Sequence, residues 1–211
     1  MARRPRLQIA GLTQHVIHRG NNRSDIFRCT GDYEVFLAIL RFAFTRHPVD
    51  VHAWVLMTTH FHLLLTPRTA YSLSKAMQIV GRRYVQHHFN WRYTRTGTLF
   101  EGRFRSMPID TDKYFFNCMR YIEQNPVRAG LVTHPEGYRW SSYSANALGM
   151  ADDLNVPHPL YLALGNSPRD RQRSWRELCA EPLSEGELET TRHAVHHGET
   201  LGQGVAESAQ A

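Results

Sequence analysis

Two apolar, β-branched runs, residues 49–57 and 60–66, are separated by nothing but Thr58-Thr59. A two-residue connection between runs of that length predicts a tight antiparallel hairpin. Around the hairpin, the apolar periods alternate between strand and helix. Residues 12–19 read as a strand closed by the turn cluster Gly20-Asn21-Asn22. Phe36, Ile39, Leu40, Ala43 and Phe44 recur at helical spacing, predicting a helix to about residue 46 with Asp32 as its cap. Leu73, Met77, Val80 and Tyr84 predict a second helix over 72–89, and residues 99–108 a further strand. Asp110 or Thr111 is the expected cap of a third helix, stopped near Asn125-Pro126 because proline cannot continue it from within.

A chain of 211 residues, 42% of them hydrophobic, can bury a core without crosslinks. Cys29, Cys118 and Cys179 are odd in number and far apart. They exclude a disulfide framework and an all-cysteine metal site, and they point to a reducing cytoplasm. No apolar run reaches the length of a membrane span, and the first ten residues lack the apolar stretch of a secretory signal.

Charge is uneven along the chain. Residues 1–150 hold 20 Lys and Arg against 9 Asp and Glu, whereas residues 151–211 hold 5 against 10. All the basic residues except Lys75 and Lys113 are arginine, whose planar fork suits phosphate and base edges. A basic body suggests a polyanionic partner, most often nucleic acid. Ordinary surface charge from an arginine-rich genome is the plainer source of the same composition. The sign change, with Pro157 and Pro159, divides the chain into a domain over 1–150 and an acidic extension over 151–211. The extension is expected to carry helices over 169–180 and 184–197, the second opened by a Ser184/Glu187 capping box, and then a disordered tail.

Two segments could carry chemistry. In His60-Phe61-His62, strand alternation turns both imidazoles to one face and Phe61 to the other. Such a pair can chelate a divalent cation with positions left open, or can simply line a half-exposed strand. A histidine-triad hydrolase would want a further histidine at position 64, where Leu64 stands. On the third helix, Phe115, Cys118, Met119 and Ile122 form the apolar stripe, and Tyr121 lies off it, one turn from Asn125. Tyr121 is then either a packed aromatic or a phenol available for attack on a phosphodiester, dividing one hard step into two. His60, His62 and the Asn125 carboxamide oxygen together would accept Mg²⁺ or Mn²⁺.

The segment from Trp54 through His60-Phe61-His62 to Leu65, followed by Arg120-Tyr121-Ile122-Glu123-Gln124-Asn125-Pro126-Val127-Arg128-Ala129-Gly130, resembles the single-tyrosine, His-hydrophobic-His transposases of the insertion-sequence 200 type. Residues 14–23, Gly102-Arg103-Phe104-Arg105 and Trp140-Ser141-Ser142-Tyr143 are similar to their REP-associated branch. The resemblance covers roughly residues 8–150. It implies an α+β fold, a ferredoxin-like antiparallel sheet with helices packed on one side, here with a small helical C-terminal extension. It also implies Tyr121 as the nucleophile that takes a 5′ phosphate of single-stranded DNA beside a hairpin-forming palindrome, and His60, His62 and Asn125 as metal ligands. Two departures stand out. Met57-Thr58-Thr59 replaces the usual Met-Pro-Asn, and beyond Leu201-Gly202 a polar tail runs where many relatives continue into a helix.

The remaining arginines read as a DNA track. Arg103 and Arg105 would share one strand face, Arg3, Arg4 and Arg6 form an N-terminal arm, and Arg19, Arg82 and Arg83 extend the path. The expected activity is a metal-dependent strand-transferring endonuclease that needs no nucleotide cofactor, since a phosphotyrosine conserves the energy of the cut bond. It would act as a monomer or homodimer. The alternative is a non-catalytic hairpin-binding protein derived from a transposase. A replication initiator is disfavoured, because those proteins generally place the tyrosine before the histidine pair or use tyrosine pairs.

Overall fold

The computed structural model describes residues 9–197. Its frame is β1 (Gln14–Arg19), α1 (Thr30–Arg46), β2 (Val49–Met57), β3 (His60–Pro67), α2 (Ser72–Val80) and β4 (Arg105–Pro108). The strands form one antiparallel sheet in the order β2-β3-β1-β4. This is the α+β, ferredoxin-like arrangement. The two-residue turn sets Met57 opposite His60 and so determines the register of the central hairpin.

Alternation then sorts β3 between two faces. Phe61, Leu63 and Leu65 enter a core with Phe36, Leu40 and Phe44 of α1 and Leu73 and Met77 of α2. Leu64 enters a second core on the opposite face, the face that His60 and His62 share. In β2 a bulge between Val51 and Ala53 rephases the strand. Val51, Trp54 and Leu56 therefore reach the first core, and Ala53, Val55 and Met57 the second.

His52 sits in that bulge. Its Nδ1–H donates to the Val156 carbonyl (2.7 Å) and its Nε2 accepts from the Thr66 hydroxyl (2.8 Å). Burial lowers its pKa to about 4, so the folded chain holds it neutral. Because the unfolded value is near 6.5, this site's contribution is complete above that pH and is lost as pH falls toward 4. Between pH 7 and pH 5 the loss should be about 2 kcal/mol. Because His15, His60 and His62 are lowered by burial as well, the share of His52 is the difference in urea unfolding between the parent and His52→Gln at the two pH values, and the variant should flatten the pH dependence by that amount.

Helices α1 and α2 lie on one side of the sheet, as expected. The opposite face is in addition roofed by α3 (Asp112–Glu123) and α4 (Tyr143–Leu148) and, from the extension, by α5 (Pro168–Ala180) and α6 (Glu185–His197). Phe115, Cys118, Met119 and Ile122 of α3 and the fully buried Trp175 of α5 complete the second core. The outer edge of β2 is covered by hydrogen bonds from Leu56 N–H to the Trp140 carbonyl, from Ser142 N–H to the Trp54 carbonyl and from Val156 N–H to the Val51 carbonyl. Trp140-Ser141-Ser142 is thus an edge-capping segment. Among the described residues, no helix is long and apolar enough to cross a membrane.

Three local expectations are corrected. Asp32 does not cap α1; Cys29 holds that position, and the Asp32 carboxylate reaches back from the first turn to the N–H groups of Arg28 (2.8 Å) and Cys29 (3.3 Å). The helix expected over 72–89 is α-helical only to Val80 and continues as a π-helix, Gly81–Phe89, whose wider turn carries Tyr84, Val85 and Phe89 inward together. The strand expected over 99–108 is regular only from Arg105, because Gly102 adopts a left-handed φ of 63° that ends the ladder. Arg103 therefore lies outside the strand and does not share a face with Arg105 by alternation. The Ser184/Glu187 capping box forms as expected.

Candidate active site

The register of β1 against β3 brings three more side chains to the imidazole face. Ile17 pairs with His62 and Arg19 with His60, and alternation along β1 sends His15 to the same side as both. His15 and His62 are stacked with ring centroids 5.0 Å apart, and His15 Nε2 hydrogen-bonds His62 Nδ1 at 2.8 Å. That bond occupies one nitrogen of His62 and leaves its Nε2 for another partner. His60 stands nearly perpendicular to His62 at 5.0 Å, and its Nδ1 accepts from the Thr59 hydroxyl. The Thr58-Thr59 turn thus supplies a hydroxyl that orients this ring.

Burial keeps these imidazoles neutral. It lowers His60 to about 4 and His15 to about 3, and it holds His62 well below the ordinary value, helped by the nearby charges of Arg128 and Arg19. Neutral imidazole is the state that ligates a metal. The pair fits a divalent cation in that respect, with the His15–His62 bond as the orienting partner such ligands ordinarily have. His15 Nδ1 itself is buried without a partner.

Tyr121 meets this cluster from α3. Thr111 caps that helix as expected, its hydroxyl accepting from Tyr114 N–H. The Tyr121 ring lies edge-on to His62 at 5.7 Å and to His15 at 6.1 Å. It is 9% exposed and packs as a member of the second core beside those two rings. Asn125 opens a separate single turn, Asn125–Arg128, one turn beyond Tyr121, and is equally buried.

The same turn carries a residue that sequence reasoning missed. The Arg128 guanidinium sits 4.2 Å from the centre of the Tyr121 ring and donates to the Tyr121 carbonyl through Nη2, while its Nη1 is buried without a partner. A buried, unpartnered cationic donor beside a phenol and an imidazole pair is an anion-binding arrangement. Its i+7 spacing from Tyr121 across a helix break gave no local signal. His15 was equally hidden, because its partner His62 lies 47 residues away on another strand.

Helix α3 is held in place by polar side chains around Tyr121. Arg120 donates to the Glu181 carbonyl, and the fully buried Glu123 carboxylate accepts from Ser142 (2.6 Å), Asn146 (2.7 Å) and Trp175 (2.8 Å). Burial pushes that carboxyl up to about 7 against those three hydrogen bonds, which favour the anion. The extension therefore anchors the turn that presents the phenol.

The other expected arginines separate. Arg19 flanks His60, and Arg105, paired with Ile17, lies on the same face of the edge strand. Arg82 is exposed on the π-helix, whereas Arg83 stacks on Phe42 of α1 at 4.1 Å. Arg3, Arg4 and Arg6 fall outside the described residues, as does the expected disordered tail. Among the described residues, no three His, Cys, Asp or Glu side chains converge on a metal-sized site.

Residues 8–125 match the family model of IS200-like transposases. A solved structure of a REP-associated tyrosine transposase bound to a REP hairpin is similar with a TM-score of 0.61 at 19% identity, over 75% of this chain and 93% of that one. A crystal structure of a Deinococcus radiodurans R1 protein gives a TM-score of 0.40 at 21% identity, over 58% of this chain and 97% of that one. No curated protein matches the sequence. At these identities the first likeness bears on the fold.

Proposed function

The chain belongs to the IS200-like transposase family, and from that premise we propose that it cuts and rejoins single-stranded DNA beside a hairpin-forming repeat, as a metal-dependent tyrosine endonuclease of the REP-associated type. The observation that carries the reading is the placement of the Tyr121 ring 5.7 Å from His62, beneath the Arg128 guanidinium. The phenol oxygen forms the bond to phosphorus, the bond from phosphorus to the 3′ oxygen breaks, and the proton lost by the phenol is matched by one gained at the freed 3′ hydroxyl. His60 and His62, with Asn125, are the residues that would hold Mg²⁺ or Mn²⁺. When bound, that ion supplies Lewis-acid polarisation of the scissile phosphate.

The chain's own residues supply the remainder. Arg128 Nη1 is placed to receive a phosphate oxygen, and His15 keeps the His62 ring in one orientation. Arg19 and Arg105 line the approach for the backbone. Rejoining reverses the same step with the 3′ hydroxyl of another end, which is why no nucleotide cofactor is required. Three free cysteines, two of them buried, suit a cytoplasmic setting.

The test is incubation of end-labelled hairpin DNA, with an unpaired flank, in Mg²⁺ or Mn²⁺, followed by a denaturing gel. A labelled fragment that migrates with the protein, absent when the metal is chelated and absent from His60→Ala, is the expected result. Hairpin that is bound tightly but left uncut under all metal conditions would identify a pure binding protein.

A further inference from the structure

The same end of the sheet carries a second recess, around the edge from the imidazoles. A cleft of about 610 Å³ opens between the π-helical stretch and the loop that precedes β4. One wall is the His18 ring stacked on Phe100, with centroids 4.0 Å apart and planes 19° from parallel, and Val85 adds apolar surface opposite. Asn90 lines it too. Its Nδ2 donates to the Gly97 carbonyl at 3.0 Å, which settles which way the amide faces, and its Oδ1 is buried without a partner. Arg82 stands exposed at the rim.

Flat aromatic walls, one unpartnered acceptor inside and one cation outside describe a slot for a planar ring with polar hydrogens on its edge and an anion attached. The location narrows this further. Phe100 is bridged to Gly20, the residue after Arg19, and Arg19 pairs with His60. Two strand spacings, about 10 Å, therefore separate the backbone of Phe100 from that of His60, with their side chains on opposite faces of the sheet. Beyond Arg105 the 99–101 segment resumes the pairing with β1, Asn21 N–H donating to the Leu99 carbonyl and Glu101 N–H to the Arg19 carbonyl, so a DNA strand leaving the imidazole face reaches the cleft by crossing over that segment.

We propose that this cleft takes one unpaired base of the DNA strand, within a nucleotide or two of the cut phosphate, and so reads sequence while Arg82 holds the adjoining phosphate. The proposal rests on the nuclease reading above and adds to it a base-recognition subsite. The base stacks along the His18–Phe100 pair, and the Asn90 Oδ1 accepts from an amino or imino hydrogen on its edge.

Gly81 offers a clean test. It has right-handed helical φ and ψ (−57°, −49°), and a Cβ built on it meets nothing within 4 Å, so Gly81→Leu fits the backbone and extends into open space. Binding is measured by anisotropy on the Tyr121→Phe background, which removes chemistry, using hairpins with one abasic site stepped along the unpaired flank. Thermal melting verifies the fold of each variant. With the cleft open, one abasic position should weaken binding about 5- to 100-fold. Gly81→Leu should weaken the intact hairpin by a similar factor and become indifferent to that position. Asn90→Ser, which removes the acceptor without filling the cleft, should shrink the same penalty about 5-fold. Equal abasic penalties with and without Gly81→Leu, or no sensitive position in a hairpin that is still bound, overturn the subsite alone. Failure to bind any hairpin overturns the nuclease reading with it.

Discussion

Tyr121→Phe should abolish covalent attachment to DNA while leaving hairpin affinity within a few-fold of the parent. The substitution removes one oxygen and keeps the ring, whose contacts with His62, His15 and Arg128 hold that side of α3. Loss of the nucleophile removes the two-step route entirely, an effect on the order of 10⁴ or more in rate if the remaining site behaves as other covalent catalysts do. Single-turnover reactions with labelled hairpin, read on denaturing gels, measure the rate, and anisotropy measures affinity. A protein-linked fragment that persists in the phenylalanine variant would eliminate Tyr121 as the nucleophile and require another residue in its place.

Arg128→Ala should slow the covalent step about 10²- to 10³-fold, the usual cost of removing one donor aimed at developing negative charge. Hairpin affinity should change far less, because only one phosphate contact is lost. Arg128→Lys should recover little, since the single nitrogen of an ammonium cannot stand in both places that Nη2 and Nη1 hold, one on the Tyr121 carbonyl and one toward a phosphate. Guanidinium ion added to the alanine variant should restore part of the rate without restoring it in Tyr121→Phe. A purely structural role would show no such rescue. Rates within about 3-fold of the parent would remove Arg128 from the proposed chemistry.

Much of this could be read along the chain, because it depends on near neighbours. The hairpin over Val49–Met57 and His60–Pro67 follows from two apolar runs and a two-residue gap. The Thr111 cap, the stripe of Phe115, Cys118, Met119 and Ile122, and the Ser184 capping box likewise depend on residues three or four apart. Where neighbours compete, expectation failed. Asp32 was an available cap, yet Cys29 began the helix and left the carboxylate to accept the preceding N–H groups. Gly102 interrupted a run that otherwise looked like strand.

The order of the four strands and the main helices, the histidine pair on one strand face and the helix that carries the tyrosine were set by local periodicity, and the sequence by itself determined them. Which groups surround that tyrosine was decided only by the tertiary structure. His15 meets His62 through sheet register, Arg128 folds back over the ring after a helix break, and Trp175 reaches Glu123 from 52 residues away. The physical reason is that such contacts depend on where separate elements come to rest against a shared core. Spacing along a strand or helix carries no record of that placement.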